Sequence, residues 1–281
     1  MRVVNMSSDL IIGSISSSCY NTSGNLFVAS YLGNYMVLKK VQSQNEINKI
    51  ELLDKYRDVM PSNFVIPCFL VCLDNKDLYF AMEYVKGNNF SDILSNTCVS
   101  LCDKKGYLTS IGGILDGMKD IRCNTPLKDF YLGDLHEDNF MVSNDRLYTI
   151  DLDGIRVNSL SPIASYLQAG TLFSSVSTDK YKVEDNSASF VRYLVDENTD
   201  LYCYTMIILN FLYGDNVNNM GIGEYYDYLN YLDDIGINKS LLYCFDRVVS
   251  DGDNINPMNY IDSLSYKDVG KSRKIVYRYN R

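Results

Sequence analysis

Residues 26–31, LFVASY, and 35–41, YMVLKKV, are alternating or β-rich apolar runs on either side of the turn signal Gly33-Asn34. That pattern predicts a β-hairpin, and a further β-rich run at 8–12 predicts a strand before it. In QNEINKIELLDKYRDVM the period changes: Ile47, Ile50, Leu53 and Tyr56 recur at the spacing of an amphipathic helix. A second hairpin is predicted from FVIPCFLVCL (64–73), the polar turn Asp74-Asn75-Lys76 and LYFAMEYV (78–85). After Gly87 helical periods dominate, at 90–96, 104–123, 200–213, 224–233, 239–249 and 257–265, with a short β-like patch at 130–150. The chain therefore reads as α+β, with a small β-rich part over residues 1–85 and a larger helical part over 86–281.

Composition narrows the functional classes. At 281 residues the chain is long enough to bury most of its apolar surface in one or two cores. Its 46% hydrophobic and 22% charged residues exclude a globally disordered chain. A formal net charge of −9 repels phosphate backbones and anionic lipid, so no nucleic-acid partner is expected. No apolar run approaches the ~18 residues of a membrane span, and no leader pattern opens the sequence. The expectation is a cytoplasmic protein without a membrane partner. Most of the eight cysteines sit in apolar runs such as PCFLVCL and LYCYTM, which suits free thiols in a reducing compartment. Cys68/Cys72 and Cys98/Cys102 share a C-x-x-x-C spacing, but with one histidine and no C-x-x-C pair a zinc site is not expected.

Candidate chemistry concentrates in LGDLHEDNFM (132–141) and IDLDG (150–154). Two short strands joined by the turn SNDR would hold Asp134, Asn139 and Asp151 at one edge. Carboxylate and amide oxygens in such a cluster suit the orientation of a hydroxyl and the binding of Mg²⁺, a hard cation. As calcium loops, DLDG and DGDN lack the full oxygen-ligand pattern.

GDLHEDN followed by IDLDG resembles the catalytic loop and metal-binding turn of the protein-kinase superfamily, H-R-D-L-x-x-x-N and then D-F-G. The resemblance implies a bilobal protein kinase-like fold, a β-rich N-lobe and a helical C-lobe, over residues 9 to 265. It implies that Asp134 accepts the proton of the substrate hydroxyl and that Asn139 and Asp151 ligate Mg²⁺, with Asp153 supporting a second metal. His136 stands where many protein kinases carry a lysine. D-L-H is similar to aminoglycoside and choline phosphotransferases, and there it would donate to the γ-phosphate; the alternative is a structural histidine bonded to backbone.

YMVLKKV resembles the V-A-I-K strand, which makes Lys39 the lysine for the α and β phosphates, pointing away from Lys40. Its helix partner would be Glu51 or Glu46, with Glu51 preferred on spacing; an i,i+4 pair of Glu51 with Lys55 is the alternative. LYFAMEYVKGNNFSDIL resembles the last small-lobe strand, the hinge and the first large-lobe helix, implying Met82 as gatekeeper and the backbone of Glu83 and Val85 as the adenine contact. TDLYCYTMIILNFLYG resembles the central large-lobe helix, whose first-turn aspartate, here Asp200, braces the catalytic loop, and 244–264 resembles the closing helices.

Departures are equally visible. In IIGSISSSCY only Gly13 remains of the glycine-rich phosphate loop. Leu132-Gly133 replaces His-Arg, so switching through that arginine is not expected, and no A-P-E precedes Asp200. The Ser/Thr-rich segment 154–199 reads either as a polar loop or as an autophosphorylation target. The implied activity is an ATP- and Mg²⁺- or Mn²⁺-dependent transfer of the γ-phosphate to a protein hydroxyl, Ser or Thr in preference to Tyr. The alternatives are a small-molecule alcohol phosphotransferase and a non-catalytic pseudokinase scaffold.

Overall fold

A computed structural model of the chain describes residues 1–5, 10–13, 26–73, 77–152, 154–158, 160, 170–176, 181, 183–186 and 191–265. It is a mixed α+β structure of two compact units, Met1–Asn89 with Phe140–Leu152, and Phe90–Asn139 with Asp153–Arg281.

The first unit is built on a six-stranded sheet in the order β1-β5-β6-β4-β3-β2, formed by β1 (Val3–Asn5), β2 (Leu10–Gly13), β3 (Leu26–Tyr31), β4 (Asn34–Lys40), β5 (Phe69–Leu73) and β6 (Asp77–Glu83). All neighbours are antiparallel except β1 and β5, which run parallel. Ala29, Met36, Leu38, Val71, Tyr79 and Ala81 form the buried cluster, with Phe27, Tyr31 and Phe69 packed on it. The β3–β4 turn is centred on Leu32-Gly33, one residue before the Gly33-Asn34 signal, because Tyr31 pairs with Asn34. Both turn residues have positive φ, 50° and 81°, the geometry that matches the twist of the strands. Leucine accepts this conformation because the register is fixed by the pairing of the strands, with Val28 and Ala29 of β3 buried opposite Val37 and Met36 of β4.

Helix α1 (Gln44–Lys55) starts at Ser43, whose side chain accepts the Glu46 N–H. A short strand β7 (Asn88–Asn89) pairs with β8 (Phe140–Ser143), which pairs with β9 (Arg146–Thr149). This pairing is why residues 140–152 belong to the first unit although the boundary near 85–90 precedes them by fifty residues. The β8–β9 turn is Asn144-Asp145, with φ of 48° and 58°, two residue types that tolerate the left-handed region.

The second unit contains α2 (Phe90–Ser95), α3 (Leu101–Asn124), α4 (Thr171–Ser175), the antiparallel pair β10 (Val183–Asn186) and β11 (Val191–Tyr193), α5 (Glu197–Tyr213), α6 (Ile222–Asp234), α7 (Lys239–Asp251) and α8 (Met258–Ile261). Helix α5 is buried continuously from Thr199 to Leu209, as expected of a helix apolar on all sides. Asp196 caps it by accepting the Asn198 and Thr199 N–H groups, and Gly214 closes it at φ 82°. Tyrosines serve as large core residues here, and three of them reach an acceptor: Tyr202 donates to Asn218 Oδ1, Tyr204 to the Leu108 carbonyl, and Tyr225 to the Phe245 carbonyl. The helix expected at 257–265 is only Met258–Ile261; Lys105 Nζ donates to the Asp262 and Leu264 carbonyls just beyond it. No helix among the described residues is long and apolar enough to cross a membrane.

Candidate functional site

The sequence-predicted site residues fall into one group in each unit. In the first, β4 carries Lys39 opposite Phe80 of β6. Its Nζ donates to both carboxylate oxygens of Asp151, at 3.0 and 2.9 Å. Asp151 lies two residues beyond β9, whose end is fixed from outside: the Val65 N–H donates to the Thr149 carbonyl, and the Thr149 N–H to that of Asn63. Lys40, one residue on, points elsewhere and pairs with Asp77 at 3.1 Å. The alternation of a strand thus sends two adjacent lysines to different carboxylates.

Glu51 does not stand beside Lys39. The buried face of α1 is Glu46, Lys49, Ile50 and Leu53, an i, i+3, i+4, i+7 stripe. Glu51 falls one residue off that stripe, is exposed, and its carboxylate accepts from the Met1 ammonium at 2.9 Å. Glu46 is the carboxylate on the buried side, with Oε2 accepting the Gln42 N–H at 2.9 Å. Met82 and Val85 are buried, and Glu83 ends β6. Gly13 ends β2 opposite Val28; the serine run after it and Asp153 lie outside the described residues.

In the second unit the loop 132–139 is held by α5. Asp200 is fully buried, and its two oxygens accept the Leu132 and Gly133 N–H groups, both at 2.8 Å. Asn139 closes the 3₁₀ turn Glu137–Asn139 and folds back, its Nδ2 donating to the Asp134 carbonyl at 2.6 Å. His136 Nε2 lies 3.8 Å from Asp134 Oδ2, an ion-pair distance longer than a hydrogen bond. Burial alone would depress the imidazole; Asp134, with Asp138 and Glu137, outweighs it and holds the group above its ordinary 6.5. The imidazolium is thus favoured beside a carboxylate that it neutralises.

Two glycines that the sequence reading left without a role shape this loop. Gly133 has φ 74°, and a Cβ there would lie 2.3 Å from the Gly154 carbonyl oxygen. An arginine in that position is therefore excluded twice, by conformation and by space. A Cβ on Gly154 would stand 2.2 Å from the Asp134 Cβ and 2.6 Å from its nitrogen. The chain at 154 thus packs directly on Asp134. The available signal was a glycine directly after D-L-D.

Burial raises the Asp200 carboxyl from 3.8 to about 7, against the two N–H donors and Arg122, which lower it; Asp196 raises it further. Arg122, from α3, also donates to the Phe130 carbonyl, pairs with Glu197 at 3.2 Å and covers the Tyr131 ring at 4.4 Å. Between 3.8 and about 7 the folded protein holds the Asp200 proton while the unfolded chain releases it. Asp200's contribution to stability consequently falls as pH rises through that window. Urea unfolding of the wild type and Asp200→Asn at about pH 5 and about pH 8 should show the wild-type advantage shrinking by a few kcal/mol at the higher pH. An advantage independent of pH would contradict it.

The oxygens offered by Asp151 and Asn139 are hard donors, and no group of three or more His, Cys, Asp or Glu side chains suited to a metal occurs among the described residues. Each taken by itself, a carboxylate such as Asp151 and an amide oxygen such as Asn139 suit a hard cation such as Mg²⁺ better than zinc. No protein-family model and no curated protein sequence matches the chain.

Proposed function

We propose that the protein is an ATP- and Mg²⁺-dependent phosphotransferase of protein kinase-like, bilobal design, acting on a protein hydroxyl. The observation that carries this reading is the pairing of Lys39 with both oxygens of Asp151 across 112 residues of sequence. A cation on a strand and a carboxylate after a hairpin, brought together at 2.9 Å, are the two side chains such a reaction requires at the phosphates and the metal. The brace of Asp200 on the Leu132 and Gly133 N–H groups supports it, because a catalytic base gains from a loop that does not reorganise.

Each residue then has one task. Lys39 holds the α and β phosphates. Asp134 accepts the proton of the acceptor hydroxyl, and His136, whose protonated form Asp134 favours, donates to the transferring group. Asp151 would hold Mg²⁺, which when bound neutralises charge on the phosphates, and Asn139 is the second ligand that the resemblance to protein kinases implies. A small-molecule alcohol as acceptor is the second reading. Gly133 favours it, since its positive φ excludes the arginine that would answer a phosphorylated segment.

The test is transfer of label from γ-labelled ATP with Mg²⁺ or Mn²⁺, followed into protein and into ADP release, with chelator and Asp134→Asn as controls. Label in protein that requires the metal and Asp134 is the expected result. ADP release only on addition of small alcohols selects the second reading. Neither label nor ADP with any acceptor, and no thermal stabilisation by Mg-ATP, would leave a scaffold without catalysis.

A further inference from the structure

One residue of α5 touches the 132–139 loop without any role assigned to it so far. Asn210 lies ten residues beyond Asp200, a rise of ~15 Å along the helix. Its Nδ2 donates to Glu137 Oε1 at 3.1 Å, and its Oδ1 accepts the Val217 N–H at 2.9 Å. One amide group therefore meets a carboxylate on its donor side and a backbone donor on its acceptor side. Only one orientation satisfies both, so the two contacts fix the side chain and do not merely accommodate it. Val217 begins the 3₁₀ turn Val217–Asn219, which is tied back to α5 through the bond of Tyr202 to Asn218. The acceptor side of the clamp is thus anchored in the same rigid helix.

Glu137 opens the 3₁₀ turn that Asn139 closes, and the Asn139 N–H donates to the His136 carbonyl at 3.1 Å. Glu137 and Asn139 lie within the single short turn closed by that bond, so a displacement of the Glu137 backbone is passed on to Asn139. We infer that Asn210 is a positioning residue: its amide, clamped between Glu137 and the Val217 N–H, sets the 137–139 turn and through it the side chain of Asn139. Helix α5 then grips the loop at two points, Asp200 before Asp134 and Asn210 after it. The consequence for metal use rests on the phosphotransferase reading; the clamp itself does not.

Asn210→Asp isolates the contact. It keeps the acceptor for Val217 and places a carboxylate against that of Glu137. Glu137→Gln in the same chain restores a donor to the pair with its polarity reversed. Two readouts are needed, hydrogen exchange of the 132–141 segment by mass spectrometry and the Mg²⁺ concentration for half-maximal ATP turnover. Asn210→Asp should speed exchange in that segment and raise the Mg²⁺ requirement roughly tenfold, the lower end of what outer partners of metal ligands contribute. Asn210→Asp with Glu137→Gln should bring both back towards wild type, which a general loss of packing would not do. Unchanged exchange in Asn210→Asp overturns the clamp. Faster exchange without rescue assigns Asn210 to folding alone and overturns it too. If the wild type turns over no ATP, the phosphotransferase reading falls, and exchange with its rescue still decides the clamp.

Discussion

Asp151→Asn should abolish the thermal stabilisation of the protein by Mg-ATP and reduce ATP turnover about 10²–10³-fold, with the fold intact. The substitution keeps the volume of the side chain and removes its charge. In the wild type both carboxylate oxygens meet the Lys39 ammonium, and the two side chains are 35% and 20% exposed. Their attraction is only partly screened, and losing it costs stability on the order of 1 kcal/mol. On the phosphotransferase proposal the larger loss is functional: an amide would offer a metal one neutral oxygen where the carboxylate would offer two that share a charge. Removing one preorganised electrostatic contact of this kind commonly lowers turnover by about 10²–10³-fold. The binding readout is separate, since a ligand at a hundredfold its dissociation constant adds ~2.7 kcal/mol to stability. Asp151→Asn protein that still gains this stabilisation from Mg-ATP would remove Asp151 from the metal site.

What the sequence made legible was periodic. The β-rich runs gave β3 and β4, the two-residue period of a strand separated Lys39 from Lys40, and the helical period gave α3, α5, α6 and α7 with ends near those observed. Strand β1 was not legible, because three residues cannot display a period; its place comes from parallel pairing with β5. The turn at Leu32-Gly33 was read one residue late, since asparagine and glycine mark a turn while the register is decided by burial on both strands. The same limit misplaced Glu51. Spacing from the next hydrophobic run selected it, whereas the face buried in the structure is Glu46, Lys49, Ile50 and Leu53, which leaves Glu51 exposed.

The site divides in the same way. Residues whose type suggests chemistry, such as Asp134, Asn139, Asp151 and Lys39, can be proposed from short motifs. Residues that act by position were not: Asn210 is one polar side chain near the end of an apolar helix, and only the structure places Glu137 against it. Gly133 was noted as a departure, the absence of an arginine. The structure turns that absence into a requirement, because the loop needs positive φ and close approach at that point.

Gly154→Ala is the second substitution with a large expected effect, and it acts on Asp134 without touching its chemistry. The added methyl would lie 2.2 Å from the Asp134 Cβ and 2.6 Å from the Asp134 nitrogen. One of these neighbours is backbone, so a change of rotamer does not relieve the overlap; either residue 154 or the loop at 134 must move. The loop has little freedom to do so, because the N–H groups just before Asp134 are held by Asp200 and its own carbonyl is held by Asn139. If Asp134 is the base proposed above, displacing it by about 1 Å costs on the order of 10²-fold in rate, and that is the expected fall in turnover. The unfolding free energy should drop by about 1–3 kcal/mol, the usual cost of overpacking. Rate and stability therefore separate the mechanisms: a fall in turnover in protein that remains fully folded at the assay temperature assigns Gly154 to the placement of Asp134. Turnover within twofold of wild type would show that the loop yields at no cost, and Asp134 would then not be the group whose position limits the reaction.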